Sequence, residues 1–394
     1  MDASIGTRIA TYRRRRGLSQ AALAGLVGLS VSWLSQVERG VRSVDRLSVL
    51  LDLAQVLHVD VEALTGRPWE YSPNGGSVSS DLDGIRDAVL AYSELVPSGA
   101  AGGPRSKVDL GAAVERGFEA YQAARYGQAV RELPGVLRAS ADSDWAGADS
   151  ETYALAHVLA AKLLRKRGAV ELANRCADRA ALVAAMTSSP VVRGLAGYQV
   201  AAGLLRIDRV EEAEHLVMAL ADDPSDPRDD TAISVRGSLW LLGSVIAGRR
   251  SEVGEAMSRL AQAQALAELL GRDDNLAWTA FGPTNVALHR ISVAAELGDA
   301  GEAMRAADGM KPELFPAGLL SRRAQMHLDL GWAYAQRHRD ADATLHLLEA
   351  ERIAPETIRY NVIVREHVRE MLTRGRLSGT SALRDLAVRA GILD

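Results

Sequence analysis

Apolar residues recur every three to four positions along most of the chain, which is the period of amphipathic helices. From residue 109 onward the pattern runs in blocks of roughly 14–20 residues with short polar breaks. Pro and paired turn residues fall in those breaks, as at Ser188-Ser189-Pro190 and Asp222-Asp223-Pro224, where they stop a helix. The alternating period of a strand is nearly absent. The pattern predicts an all-α protein.

Upstream, the pattern changes twice. Residues 67–108 are rich in Gly, Ser and Pro (Pro73-Asn74-Gly75-Gly76, then a run from Ser98 to Pro104), which predicts a linker. Leu82, Ile85, Val89 and Leu90 lie at helical spacing within it, so one short helix is expected over 81–95. Residues 1–66 hold five short helical patterns. The first covers 5–15. Ser19 is placed to cap a second over 20–27, and Ser30 a third over 31–39. Gly28-Leu29 makes the turn between them, and Gly40 ends the third. Two more follow at about 44–57 and 61–64. Three regions are therefore expected: 1–66, 67–108 and 109–394.

Composition narrows the class. The chain has 394 residues, 47% hydrophobic and 24% charged, with a net charge of −4, as expected of a folded, soluble, multidomain protein. Cys176 is the single cysteine, so no intrachain disulfide framework or cysteine-based metal cluster can form. No signal-peptide stretch and no long apolar run stand out, and the expected location is the cytoplasm, with no membrane partner. Arginine carries nearly all the basic charge, with lysine only at 107, 162, 166 and 311. With abundant Ala, Gly and Val, this suggests the coding bias of a GC-rich, actinobacterial genome. The charge is uneven. Residues 1–66 hold eight Arg against six Asp and Glu, a local +2 against −6 for the remainder, which is the direction that DNA binding requires.

The run Gly17-Leu18-Ser19-Gln20-Ala21-Ala22-Leu23-Ala24, then Gly28-Leu29-Ser30, then Leu34-Ser35-Gln36-Val37-Glu38-Arg39-Gly40 resembles the lambda-repressor/Cro-like (XRE) helix-turn-helix family. Small Ala24 sits where two helices must cross, and Val27, Leu34 and Val37 face inward. The resemblance implies that the third helix enters the major groove of a double-stranded DNA operator. Val31, Ser32, Ser35 and Gln36 would then meet base edges, Gln36 by a paired hydrogen bond to adenine and Val31 on a thymine methyl. Gln20 would meet a phosphate at a helix start. Arg13, within the run Arg13–Arg16, and Arg42 are further phosphate candidates. Trp33 departs from the pattern, either as a core residue or as a wider contact.

The second region repeats. His327, Leu330-Gly331, Tyr334, Ala343, Leu347, Ala350 and Pro355 resemble the tetratricopeptide unit, with His327 for its Trp and Leu347 for its Phe. Weaker copies are anchored by Ala129, Ala173, Ala213, Ala256 and Ala303, at spacings longer than the ~34 residues of a regular unit. The expected architecture is a five-helix DNA-binding domain followed by an α-solenoid of tetratricopeptide-like pairs. Other helix-pair solenoids remain alternatives. The resemblance implies a right-handed superhelix whose first helices line the concave face.

This combination resembles peptide-sensing regulators of Gram-positive bacteria. The stretch Phe281-Gly282-Pro283-Thr284-Asn285-Val286-Ala287-Leu288-His289 is similar to a segment of large actinobacterial XRE regulators. By anchor spacing, Asn285 and His289 share one helical face toward a groove. Gln325, Asp329 and Trp332 follow from the sixth pair and Gln199 from the third, so these six are the candidate ligand contacts. No phosphate loop, dinucleotide fingerprint, metal-spaced cluster or nucleophile elbow is present. The expectation is a non-enzymatic, cofactor-free, homodimeric regulator that senses a small molecule or short peptide. The alternative is a constitutive interaction scaffold with an attached DNA-binding domain.

Overall fold

A computed structural model describes residues 5–15, 18–41, 44, 47–57, 59, 64, 78–92, 109–143, 146–207, 209–222, 229–308, 310, 316, 318–359, 362–374 and 381–393. Among these residues all regular structure is helical. The chain divides into two compact units, Met1–Ser72 and Pro73–Asp394.

The first unit contains α1 (Ile5–Arg15), α2 (Gln20–Leu26), α3 (Val31–Glu38) and α4 (Leu47–Leu57). The expected fifth helix lies outside the described residues except for Leu64, which is buried. The caps are in place: the Ser19 hydroxyl accepts from the Ala22 N–H at 3.0 Å and the Ser30 hydroxyl from the Trp33 N–H at 3.1 Å. Gly28, at φ +66°, makes the turn, and α2 and α3 meet at a bend of 114°, within the range of a helix-turn-helix. Ile9, Leu23, Ala24, Leu34, Val37, Leu53 and Leu57 form the core. Gly6 permits the crossing of α1 over the end of α3, because a Cβ there would lie 1.9 Å from the Val37 carbonyl oxygen.

The second unit opens with α5 (Val78–Leu90). Six helix pairs follow: α6 (Leu110–Gln122) with α7 (Tyr126–Ala141), α8 (Ser150–Lys166) with α9 (Val170–Met186), α10 (Pro190–Leu204) with α11 (Val210–Ala221), α12 (Asp230–Arg249) with α13 (Val253–Leu270), α14 (Pro283–Glu296) with α15 (Ala300–Asp308), and α16 (Leu320–Gln336) with α17 (Asp340–Ile353). The anchor alanines Ala129, Ala173, Ala213, Ala256, Ala303 and Ala343 are all buried near the start of the second helix of a pair. There a methyl lets the paired helices approach closely. Helices α18 (Pro355–Arg359), α19 (Val362–Arg374) and α20 (Ser381–Arg389) pack on the last pair.

The stack closes on itself. Each first helix packs on the next first helix, from α6 through α8, α10, α12 and α14 to α16, and α16 packs back on α6. The second helices lie outside this ring. Helix α5, placed by the sequence within the linker, packs on α7 and α9 and buries Leu82, Ile85 and Val89 in the ring's core. The Arg179 guanidinium on α9 donates to the Val89 carbonyl at 2.8 Å. Helix α12 is long and apolar enough to cross a membrane, but 72% of that span is buried in the ring, as a core helix requires.

Candidate functional site

Helix α3 is the candidate nucleic-acid interface. Val31 is 46% exposed and Ser32 is exposed, while Ser35 and Gln36 are half-buried along the same outer side; Leu34 and Val37 face the core. Trp33 is half-buried and packs against that core.

Arg13 sits elsewhere than expected. Its guanidinium is buried and committed within the fold, with Nε and Nη2 donating to Glu38 Oε1 and Oε2 at 2.6 and 2.8 Å and Nη1 donating to the Leu18 carbonyl at 2.8 Å. Gln20 Nε2 donates to the same Glu38 carboxylate at 2.7 Å. Arg13 and Gln20 thus tie α1 and α2 to the end of α3, leaving neither side chain free for phosphate in this geometry. Burial pulls the Glu38 carboxyl upward, but the hydrogen bonds from Arg13 and Gln20 outweigh it and hold the group below its ordinary value. Arg14, next along α1, is exposed, as is Arg39. Arg42 lies outside the described residues.

The second site is a cavity of about 210 Å³ at the centre of the ring, far above the ~10–15 Å³ that one water needs. Gln199 and Gln325, from the third and sixth pairs, both line it. The other expected contacts sit behind its wall. Asn285 is 1% exposed, and neither atom of its side-chain amide has a partner. His289 is 9% exposed and its Nδ1 lies 2.8 Å from the Asn285 carbonyl oxygen. Burial, then the charge of Arg322, pushes His289 down to about 3, so its ring is neutral near pH 7. Asp329 accepts from Ser292 Oγ at 2.5 Å and Gln325 Nε2 at 2.9 Å; burial nevertheless raises its carboxyl to about 6. Trp332 packs in the core between the fifth and sixth pairs.

The reading from spacing missed the cavity's cations. Lys162, Arg165 and Lys166 share one face of α8 and are joined by Arg322 of α16. Lys162 Nζ donates to the Trp278 carbonyl at 3.2 Å and lies over the Phe118 and Tyr121 rings. Burial, then repulsion from Arg322, Arg165 and Lys166, brings Lys162 down to about 7. Burial, Arg322 and Arg206 bring Lys166 to about 8, against a weaker pull upward from Asp329. One signal was available: two of the chain's few lysines stand four apart on a helix.

The segment before α14 forms part of the wall. Ala277, Trp278 and Ala280 adopt φ of +46°, +60° and +55°, a region L-residues rarely occupy. It is held by Gln122 Nε2, which donates to the Asn275 side-chain oxygen at 3.2 Å and the Trp278 carbonyl at 3.0 Å. The motif that follows is explained by packing. Phe281 fills the space beside Gly237, where a Cβ would lie 2.0 Å from its ring. Gly282 admits the Asp273 backbone, whose Cα would lie 2.6 Å from a Cβ there. The Asp273 carboxylate accepts from the Thr284 N–H at 2.9 Å and hydroxyl at 2.6 Å, at the start of α14.

Comparison with known proteins places the first unit. A helix-turn-helix domain family model matches residues 4–65. The HTH-type transcriptional regulators SinR of Bacillus subtilis (strain 168) and of Bacillus licheniformis are each 33% identical over 87 residues, 22% of this chain and 78% of theirs. An uncharacterized HTH-type transcriptional regulator of Bacillus subtilis, YazB, is 37% identical over 65 residues, 16% of this chain and 93% of its own. Among solved structures, Bacillus thuringiensis PlcR in complex with the peptide PapR7 and DNA matches 68% of this chain and 96% of its own at 14% identity. Its TM-score of 0.34 is too low to place any residue here. The geometry of α2 and α3 and the extent of the shared sequence agree: the chain belongs to the helix-turn-helix family of transcriptional regulators.

Proposed function

We propose that this DNA-binding regulator reads its operator with α3 and that a small molecule in the ring cavity controls its affinity for DNA. Val31, Ser32, Ser35 and Gln36 are assigned to base edges, and Arg14 and Arg39 to phosphates. Arg14 and Arg39 take the phosphate role first expected of Arg13, because their side chains are exposed. The protein acts as a homodimer in the cytoplasm, because one such domain spans a single half-site and operators of this class carry two, about one helical turn apart.

The observation that carries the sensor reading is the cavity where α6, α8, α10, α12 and α16 converge. A constitutive scaffold would use an extended concave surface running along the repeats. Because α6 and α16 are the two ends of the stack, an occupant touches both at once. It shifts the ring toward the geometry that it binds better, and only that difference in affinity can reach the DNA. Helix α5, docked on the ring, carries the change to the chain segment leading back to the first unit.

The test is operator affinity of the full chain with and without a low-molecular-mass cell fraction, in wild type and in Gln199→Ala. A response in wild type that the variant lacks supports the reading. Equal responses, or none from any fraction, overturn it. Light scattering at micromolar concentration tests the dimer.

A further inference from the structure

We propose that the cavity is an anion-binding site, and that its ligand is a small organic anion with a flat or apolar body and a carboxylate or phosphate head. This rests on reading the ring as a sensor, and it names the chemical class sensed.

Four cationic side chains, Lys162, Arg165, Lys166 and Arg322, line one cavity, and among the described residues no Asp or Glu lines it. Charges withdrawn from water are costly unless paired. One such cation could belong to a helix's solvated surface, but four from two helices, facing one another, repel, and the pull of the Asp329 carboxylate on Lys166 is weaker than the repulsion from Arg322 and Arg206. Their partners within the chain are few. Arg165 gives its two terminal nitrogens to Gln199 and leaves Nε unpaired. Lys162 has the Trp278 carbonyl. Lys166 and Arg322 have no side-chain hydrogen bond or ion pair among the described residues. Asp329 sits beyond the wall, occupied by Ser292 and Gln325.

A second observation is independent of charge. Ser238 of α12 lines the same cavity, is 9% exposed, and its hydroxyl has no partner. A buried hydroxyl beside a cavity, with no partner in the fold, is a group that a ligand can satisfy. Gln122, Gln199, Thr279, Ser321 and Gln325 add uncharged polar groups, and the rest of the wall is apolar or aromatic, with Leu195 and Val235 beside Tyr121, Tyr198 and Trp278. Trp278 is fixed by stacking on Phe118, with ring centroids 5.1 Å apart and planes 1° from parallel. Inorganic phosphate alone would satisfy the cations and leave this wall unused. A neutral aromatic would fill the wall and leave the cations unpaired. A ligand that offers both uses the whole site.

The depressed values of Lys162 and Lys166 agree, since an anion favours the charged form of both ammonium groups.

The experiment titrates the full chain by calorimetry with 1-naphthyl phosphate, 1-naphthoate, 1-naphthol and inorganic phosphate. At least one of the two naphthyl anions is expected to bind one per chain, at least tenfold tighter than both naphthol and phosphate. Which anion wins assigns the head group. Lys166→Met and Arg322→Gln should each weaken the anion at least tenfold and leave naphthol unchanged, and circular dichroism confirms that they fold. Naphthol binding as tightly as the anions, anion binding unaltered in both variants, or no binding of either anion overturns the proposal. Operator affinity is measured in parallel. An anion that binds without altering it leaves the anion site standing and overturns the sensor reading of the ring.

Discussion

Ser321 on α16 donates its hydroxyl to the side-chain oxygen of Gln122 on α6, at 3.1 Å across 199 positions of sequence. This bond joins the last helix pair to the first. The same amide holds the Trp278 segment through its nitrogen, so one buried residue fixes both the closure and the wall of the cavity. Replacing it orphans several buried polar atoms at once. Gln122→Ala is expected to destabilise the second unit by about 1–3 kcal/mol. Denaturant unfolding of the full chain checks this, and an unchanged midpoint would place the closure elsewhere.

Neighbouring arginines on α1 should behave differently. Arg13 is an internal tie to Glu38, so Arg13→Ala is expected to cost the first unit about 1.5–3 kcal/mol, the range for hydrogen bonds to charged groups. Because Glu38 is held below its ordinary value, the pair's contribution is complete above the unfolded carboxylate range. It is lost as pH falls through the depressed folded value. Arg14→Ala should leave stability unchanged, weaken binding to every DNA sequence, and lower the salt slope by about one. Unfolding curves and salt-dependent DNA titrations separate the two.

Gly6 sets the spacing of α1 and α3. Its added Cβ would meet main chain rather than a movable side chain, so Gly6→Ala must push the helices apart. The expected loss is about 1–3 kcal/mol, as for other overpacked cores. It should appear as unfolding of the first unit while the ring's transition is unaltered.

The cavity lysines give the protein a pH signature of defined sign. Lys162 is faced by Tyr121 from α6, Arg165 and Lys166 along α8, Arg322 from α16 and the Trp278 carbonyl. Lys166 is faced by Arg322, Arg206, Asp329 and Arg165. Folded values of about 7 and 8 lie below the unfolded 10.5. Between them the unfolded chain binds more protons, so the unliganded ring gains stability as pH rises from 7 to 10. The double variant Lys162→Met, Lys166→Met should lack that gain and be the more stable protein at pH 7, since it buries methyls in place of unpaired charge. Affinity for 1-naphthoate, whose carboxylate is ionised throughout this range, should fall above pH 7, by up to tenfold per unit for each lysine that must recover a proton. A flat profile in both measurements would contradict the assignment.

Periodicity and capping were enough to place most of this fold. Ser19, Ser30 and Gly28 mark the helix-turn-helix by local chemistry, and the six alanine anchors mark the pairs because a close crossing admits only a small side chain. The site was less legible. Gln199 and Gln325 were reachable from repeat spacing, yet Asn285 and His289 by the same rule fall behind the wall. Spacing gives the face of a helix, whereas closure of the ring decides which part of that face meets open space. Closure depends on α6 meeting α16, a contact between residues far apart in sequence that no periodic pattern contains. Arg13 was misplaced for a related reason. Its partner, Glu38, belongs to another helix, and a run of arginines does not reveal which one turns inward.

The most direct measurement of the whole account selects duplexes from a randomised pool with the full chain, then titrates the enriched duplex with and without the low-molecular-mass cell fraction. Wild type should enrich one sequence, and the fraction should change its affinity about 5–150-fold, the range of coupling energies of ~1–3 kcal/mol. Gln36→Ala should lose the sequence preference, and Lys166→Met should keep the preference but lose the response. No enriched sequence, or an identical response from Lys166→Met and wild type, would contradict the account.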